Sequence, residues 1–144
     1  MRLEIFINFD GNCREAIEFY AKVFKSEVAG LMTYSDAPQS HGYVTPEADR
    51  DRIMYAGVQI GNIMAMFSDA PANGGFVRGN NICPTITLDD EDEIVRLFNE
   101  LKDGGKVYMP LDATFFSKMF GMVEDKFGVI WQISYAEQVG HIES

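Results

Sequence analysis

Apolar and polar residues alternate from the start of the chain: Leu3, Ile5, Ile7 and Phe9 share one parity, and Glu4, Phe6 and Asn8 share the other. A period of two sends successive side chains to opposite sides of a strand, so the pattern predicts a first strand with one greasy and one mixed face. Asp10-Gly11-Asn12 interrupts it, and the period changes. Ala16, Phe19, Tyr20, Val23 and Phe24 then fall on one helical stripe, with Glu18 and Lys22 paired on the solvent side. Asn12, three residues before Glu15, is read as the helix start, because this pair can satisfy amides that lack a partner in the first turn. Three apolar runs follow at residues 28–34, 53–60 and 63–67, the last two joined at Gly61-Asn62 as a hairpin. Between the first two lies a polar stretch, residues 35–51, with Pro38, His41, Gly42 and Pro46. Its length suits a mobile connector first and a lid second.

The same order then recurs. Residues 82–88 read as a strand, Asp90 and Glu93 mark a helix start, and Ile94, Leu97, Phe98 and Leu101 form its stripe until Gly104-Gly105 ends it. Strands are predicted at 106–111, 116–124 and 129–135, with residues 125–128 as the last turn. Phe9-Asp10 matches Leu88-Asp89, and Gly61-Asn62-Ile63 matches Gly128-Val129-Ile130. The predicted fold class is therefore α+β: two tandem βαβββ modules, about 1–75 and 76–144, forming one domain. Their mixed sheets are expected to form a cup with the helices outside, since neither module covers its own sheet.

A length of 144 residues and 47% apolar content suit one folded domain. Twelve basic against 22 acidic residues leave a net charge of -10. That field opposes phosphate backbones and anionic lipid heads, so nucleic acid is not an expected partner. No apolar run approaches the roughly 20 residues needed to span a bilayer, and the first ten residues lack the apolar block of a secretory signal. No membrane association and a cytoplasmic location are expected. Cys13 and Cys83 are then read as free thiols.

The stretch from Asp10 to Ala16, with Phe19-Tyr20 and Val23-Phe24, resembles the opening of the PhnB-like branch of the vicinal oxygen chelate superfamily, which includes the glyoxalase and bleomycin-resistance proteins. Arg52-Ile53-Met54, Ser68-Asp69-Ala70, Gly79-Asn80-Asn81-Ile82, Met109-Pro110-Leu111, Phe120-Gly121-Met122 and Asp125 to Gly128 with Trp131 agree with it. The branch is also labelled demethylubiquinone methyltransferase-like. Methyl transfer from S-adenosylmethionine normally uses a doubly wound sheet with a glycine-rich first loop, and no such alternation is predicted here.

The resemblance implies a divalent metal held by His and Glu on the first and last strands of each half. Strand parity assigns two of those positions to Glu4 and Cys83, and the glycine-anchored match assigns the others to Ala65 and Gln132. A Lewis-acid centre needs several imidazole or carboxylate ligands and one open position. This set offers one carboxylate, and the two histidines, His41 and His141, fall in the polar stretch and the tail. The branch often has His where this chain has Tyr55, and Trp where it has Phe116. No cofactor is therefore expected; a metal, if present, would use Glu4 and Gln132.

Glu4, Phe6, Tyr55, Cys83, Phe115, Phe116 and Gln132 are the ligand-pocket candidates, with Met66, Phe67 and Trp131 as further apolar or soft residues that more often belong to a core. Asp36 and Asp69, in two copies of Ser-Asp-Ala-Pro, are read as turn caps. The expected protein is a homodimer that binds a small molecule in its cup without a catalytic metal. A metal-dependent lyase, isomerase or dioxygenase with an unusual ligand set, and an inert interaction subunit, are the alternatives.

Overall fold

Strand, helix and three strands occur in that order twice in the computed structural model of the chain, which describes residues 1–39 and 42–136. The first series belongs to a unit spanning Met1–Val77 and the second to a unit spanning Arg78–Ser144.

In the first unit, β1 (Phe6–Phe9) is followed by α1 (Cys13–Val23), β2 (Val28–Thr33), β3 (Ile53–Ile60) and β4 (Ile63–Asp69). The sheet order is β1-β4-β3-β2, with β1 parallel to β4 and the other pairs antiparallel. Cys13, Ala16, Ile17, Tyr20 and Val23 form the buried face of α1. Tyr20 stacks on Phe67 with ring centres 5.4 Å apart, and Phe67 stacks on Phe9 at 6.3 Å. Each such side chain removed from water contributes about 1.5–3 kcal/mol, so the stripe holds the helix to the sheet. Phe19 and Phe24 lie at its margin, half-buried.

The helix start differs from the expectation. Asn12 makes no side-chain cap. Asp69, at the far end of β4, accepts the Gly11 and Cys13 amides on one carboxylate oxygen at 2.8 and 3.0 Å and the Ile53 amide on the other at 2.9 Å. A carboxylate from 58 positions away takes over the local cap because it is buried beside amides that would otherwise lack partners. Asp69 is thus a cap, as read from sequence, but between strands and helix and not within its own turn. Asp36 fills the local role: it exchanges hydrogen bonds with Thr33 at 3.0 and 3.3 Å.

Much of the polar stretch between β2 and β3 is tied down. The Tyr34 hydroxyl donates to the Asp69 carbonyl at 2.7 Å, Thr45 Oγ1 donates to the Tyr34 carbonyl at 3.0 Å, and Asp49 accepts the Ala72 amide at 2.7 Å. Short 3-10 turns at Tyr34–Asp36 and Glu47–Asp49 carry these groups.

The second unit contains β5 (Thr85–Leu88), α2 (Glu91–Lys102), β6 (Lys106–Asp112), β7 (Phe120–Glu124) and β8 (Ile130–Tyr135), in sheet order β5-β8-β7-β6. Asp90 caps α2 as expected, accepting the Glu93 amide at 3.1 Å. Ile94, Leu97, Phe98 and Leu101 are its buried face. A Cβ at Gly121 would lie 2.7 Å from the Phe98 ring, so the glycine lets α2 close on β7. Asp125, 2% exposed, accepts the Phe127 and Val129 amides at 2.8 and 3.1 Å and the Trp131 indole N–H at 2.8 Å.

β7 begins at Phe120, not at residue 116, because residues 113–119 form a turn of their own. The Thr114 hydroxyl accepts the Phe116 and Ser117 amides at 3.3 and 3.0 Å, and the Thr114 amide donates to the Ser117 carbonyl at 2.8 Å.

The two ladders also correct the internal match. The Met66 amide donates to the Ile5 carbonyl and the Ala70 amide to that of Phe9; the Gln132 amide donates to the Pro84 carbonyl and the Ala136 amide to that of Leu88. Phe9 therefore corresponds to Leu88, Glu4 to Cys83, and Gln132 to Met66. The glycine-anchored match paired Gln132 with Ala65 because it assumed equal turns. Ile60 pairs with Ile63, whereas Glu124 pairs with Ile130 across a longer turn. A slip of one residue reverses the face. Ala65, opposite Val58, is accordingly on the covered side and 2% exposed.

Candidate functional site

Each sheet has one side under its helix and one open side. In the first unit, Phe9, Ala56, Val58, Ala65 and Phe67 are buried, while the alternate residues, Phe6, Asn8, Tyr55, Gly57, Gln59, Met64 and Met66, lie on the open side with Ser68. Phe6, Met66, Gly57 and Ala29 form one row across four strands. Gly57, which is buried, contributes no side chain to that row. A Cβ there would lie 2.9 Å from the Met64 sulfur and 3.4 Å from the Tyr55 hydroxyl oxygen. Along one edge of the ring, a Cβ on Gly30 would lie 3.2 Å from Tyr55 Cε1. Two glycines thus leave the space that the tyrosine and the methionine fill.

Two side-chain hydrogen bonds lie on this face. Ser68 Oγ donates to Asn8 Oδ1 at 2.7 Å, and Gln59 Nε2 donates to the Gly61 carbonyl at 2.9 Å. The Tyr55 hydroxyl makes no hydrogen bond among the described residues. Phe6 is 50% exposed, and Met32 and Met64 are 38% and 37% exposed. Glu4 precedes β1, is exposed, and pairs with Arg2.

In the second unit Thr85, Thr87, Met122, Gln132 and Ser134 share the open side. Thr85 Oγ1 donates to Gln132 Oε1 at 3.0 Å and lies 3.3 Å from the Cys83 carbonyl. Cys83 is half-buried just before β5. Phe115 and Phe116 meet edge to face at 5.2 Å, and Phe116 meets Phe120 in the same way at 5.1 Å. Phe115 stands wholly in solvent. Trp131 and Phe67 are core residues, at 2% and 0% exposure.

The sequence candidates therefore fall into two groups: Glu4, Phe6 and Tyr55 in the first unit, and Cys83, Phe115, Phe116 and Gln132 in the second. Sequence reasoning missed Met64, Gly57 and the Asn8–Ser68 pair. Parity with Met66 could have found Met64, but the slipped match placed Ala65 on this side instead.

Among the described residues, no three of His, Cys, Asp or Glu come together as a metal-binding group. His41 and His141 lie outside the described residues. Cys13 is no nucleophile: burial, reinforced by the Asp69 carboxylate, pushes its thiol up to about 12. Burial also raises the Tyr34 phenol, with Asp49 adding to the effect, and the Thr33 hydrogen bonds lower Asp36. No helix among the described residues is long and apolar enough to cross a membrane.

The sequence matches the family described as 3-demethylubiquinone-9 3-methyltransferase over residues 2–134. It is 31% identical to Protein YjdN of Escherichia coli K12, with 96% of this chain and 97% of that protein covered. The structure of protein PA1353 from Pseudomonas aeruginosa is similar with a TM-score of 0.84 and 31% identity, covering 94% of this chain and 97% of that one. The PhnB protein of Bacillus cereus, also named as a 3-demethylubiquinone-9 3-methyltransferase, follows at 0.76 and 28%, covering 94% and 100%. At the level of fold alone, a glyoxalase/bleomycin resistance protein/dioxygenase family enzyme from Burkholderia phytofirmans PsJN superposes with a TM-score of 0.61 at 13% identity, covering 92% of this chain and 97% of that one. The chain belongs to the family described as 3-demethylubiquinone-9 3-methyltransferase, and it shares its fold with glyoxalase/bleomycin resistance protein/dioxygenase family structures.

Proposed function

We propose that this PhnB-like protein binds a small molecule on the open sides of its sheets without a catalytic metal. The observation that carries the reading is the side made by Phe6, Tyr55, Met64 and Met66: Phe6 and Met64 are exposed there, and Tyr55 and Met66 are half-buried beside them. Aromatic and thioether surfaces with few free polar groups are the usual lining of small-molecule sites. The donor set supports a metal-free site, because Glu4 is paired with Arg2 and Gln132 with Thr85. The family's description names a methyltransferase, but two separate four-stranded sheets differ from the doubly wound nucleotide sheet that such chemistry commonly uses. Exposed Leu31 and Met32 on β2, and Val107, Tyr108 and Met109 on β6, are edge-strand residues that support a homodimer.

Thermal-shift screening with small aromatic and cationic compounds, S-adenosylmethionine and divalent metals tests the proposal, alongside metal analysis of protein purified without chelators. The expected result is stabilisation by an organic compound, lost on Phe6→Ala or Tyr55→Ala, in metal-free protein. Stoichiometric metal that disappears in Glu4→Ala or Gln132→Ala would overturn it in favour of a metal-dependent lyase, isomerase or dioxygenase. A shift with S-adenosylmethionine alone would favour the reaction in the family's description.

A further inference from the structure

We propose that the first unit's open side takes a flat, unsaturated molecule that carries a neutral hydrogen-bonding oxygen and no negative charge, with the Tyr55 hydroxyl as the group that recognises it. This rests on the binding reading above and names the class of ligand.

The argument begins with what the side can offer. Its exposed area is apolar: Phe6 and Met66 lie side by side on neighbouring strands, and Met64 leans over Gly57. An aromatic ring and thioethers favour a flat partner, which meets the ring face to face or at its edge. Ser68 Oγ is spent on Asn8 Oδ1, and Gln59 Nε2 is turned to the Gly61 carbonyl. The Tyr55 hydroxyl, beside Gly57 and Met64, makes no hydrogen bond among the described residues. A phenol can either donate or accept, so it suits a hydroxyl or a carbonyl.

Charge then narrows the class. Phe6, Asn8, Tyr55, Gly57, Gln59, Met64, Met66 and Ser68 include no Lys, Arg or His. An anion would find no cation on this side and would approach against a net charge of -10. Desolvating it there would be unfavourable with no compensating pair. A neutral oxygen bears little of this cost.

Tyr55 is also positioned by the backbone. Gly30 and Gly57 lie against the ring, and a methyl group at Gly57 would press on the Met64 sulfur at 2.9 Å while meeting the hydroxyl at 3.4 Å, an ordinary contact. The glycines are positioning residues, and the tyrosine makes the contact.

The test is a pair of probes of the same shape, 2-naphthol and 2-naphthoate, titrated against the full-length protein at pH 7 by NMR and calorimetry. 2-Naphthol is expected to bind and to perturb the signals of Phe6, Tyr55, Met64 and Met66. 2-Naphthoate should bind at least tenfold more weakly. Tyr55→Phe, which keeps the ring, should weaken 2-naphthol by roughly fivefold to tenfold, the effect of one hydrogen bond. It should leave naphthoate unchanged. Gly57→Ala should weaken 2-naphthol as well, through the displaced Met64 side chain, while the fold monitored by circular dichroism persists.

Equal or tighter binding of naphthoate at the same signals would overturn the ligand class and leave the binding reading intact. So would unchanged 2-naphthol affinity in Tyr55→Phe. Binding of neither probe would overturn the class, and the wider compound screen would then decide the binding reading separately.

Discussion

Replacing Asp69 by alanine is the sharpest trial of the account given for the first unit. Its carboxylate is 1% exposed and accepts three backbone amides, those of Gly11, Cys13 and Ile53. The Cys13 and Ile53 amides belong to buried residues, and alanine leaves both without a partner. An unsatisfied buried group costs about 1–3 kcal/mol, so these two predict a loss of about 4 kcal/mol, with the partly exposed Gly11 amide adding little. That is a large share of the roughly 5–15 kcal/mol that holds a typical domain together. Asparagine separates the contributions. It can keep one oxygen for Gly11 and Cys13, but its amide group then faces the Ile53 N–H, donor against donor. Asp69→Asn should therefore lose about 2 kcal/mol. Urea denaturation followed by far-UV circular dichroism measures both, because the sole tryptophan, Trp131, lies in the other unit. If Asp69→Ala lost less than about 1 kcal/mol, or if both variants lost the same, the carboxylate would not be holding the helix start to the strands as described.

Three further outcomes are expected. Burial raises the Cys13 thiol from an ordinary 9.0 to about 12. The unfolded chain therefore ionises first as pH rises, and stability that is fully present below pH 9 should fall between pH 9 and 12; Cys13→Ala should flatten that part of a denaturation-versus-pH curve. Asp90→Ala removes the α2 cap to the Glu93 amide and should lower stability by about 1 kcal/mol, read from urea midpoints, whereas Asn12→Ala, which loses no cap bond, should change it much less. A Cβ at Gly105 would lie 2.1 Å from the Glu124 carbonyl oxygen, so Gly105→Ala must part β6 from β7 locally and should lower the melting temperature more than Gly61→Ala, whose Cβ meets nothing within 4 Å and whose cost is that of its left-handed backbone at φ +56°.

The elements legible in the sequence are those fixed by near neighbours. The stripes of α1 and α2 could be read because helical spacing gathers residues three and four apart, and the Asp90 cap because its partner is Glu93. β3 matches its apolar run from Ile53 to Ile60 for the same reason: alternation is local, and Gly61-Asn62 supplies the turn. The strand–helix–strands repeat followed from these signals alone, and with it the α+β class. Of the candidate site, Phe6, Tyr55 and Gln132 were readable as open-side residues from parity within their own strands.

What the sequence left undecided depends on pairings between distant positions. Which of Ala65 and Met66 corresponds to Gln132 is set by the lengths of two turns in different halves, and one residue of error turns the side chain to the opposite face. Phe116 left the predicted strand because Thr114 bonds the turn beneath it. Asp69 displaced Asn12 as the α1 cap from the far end of the sheet, and the unengaged hydroxyl of Tyr55 emerged only once Asn8 had met Ser68 across 60 positions. Local spacing chose the helices and strands. Only the folded pairing of remote residues could decide which polar groups meet one another.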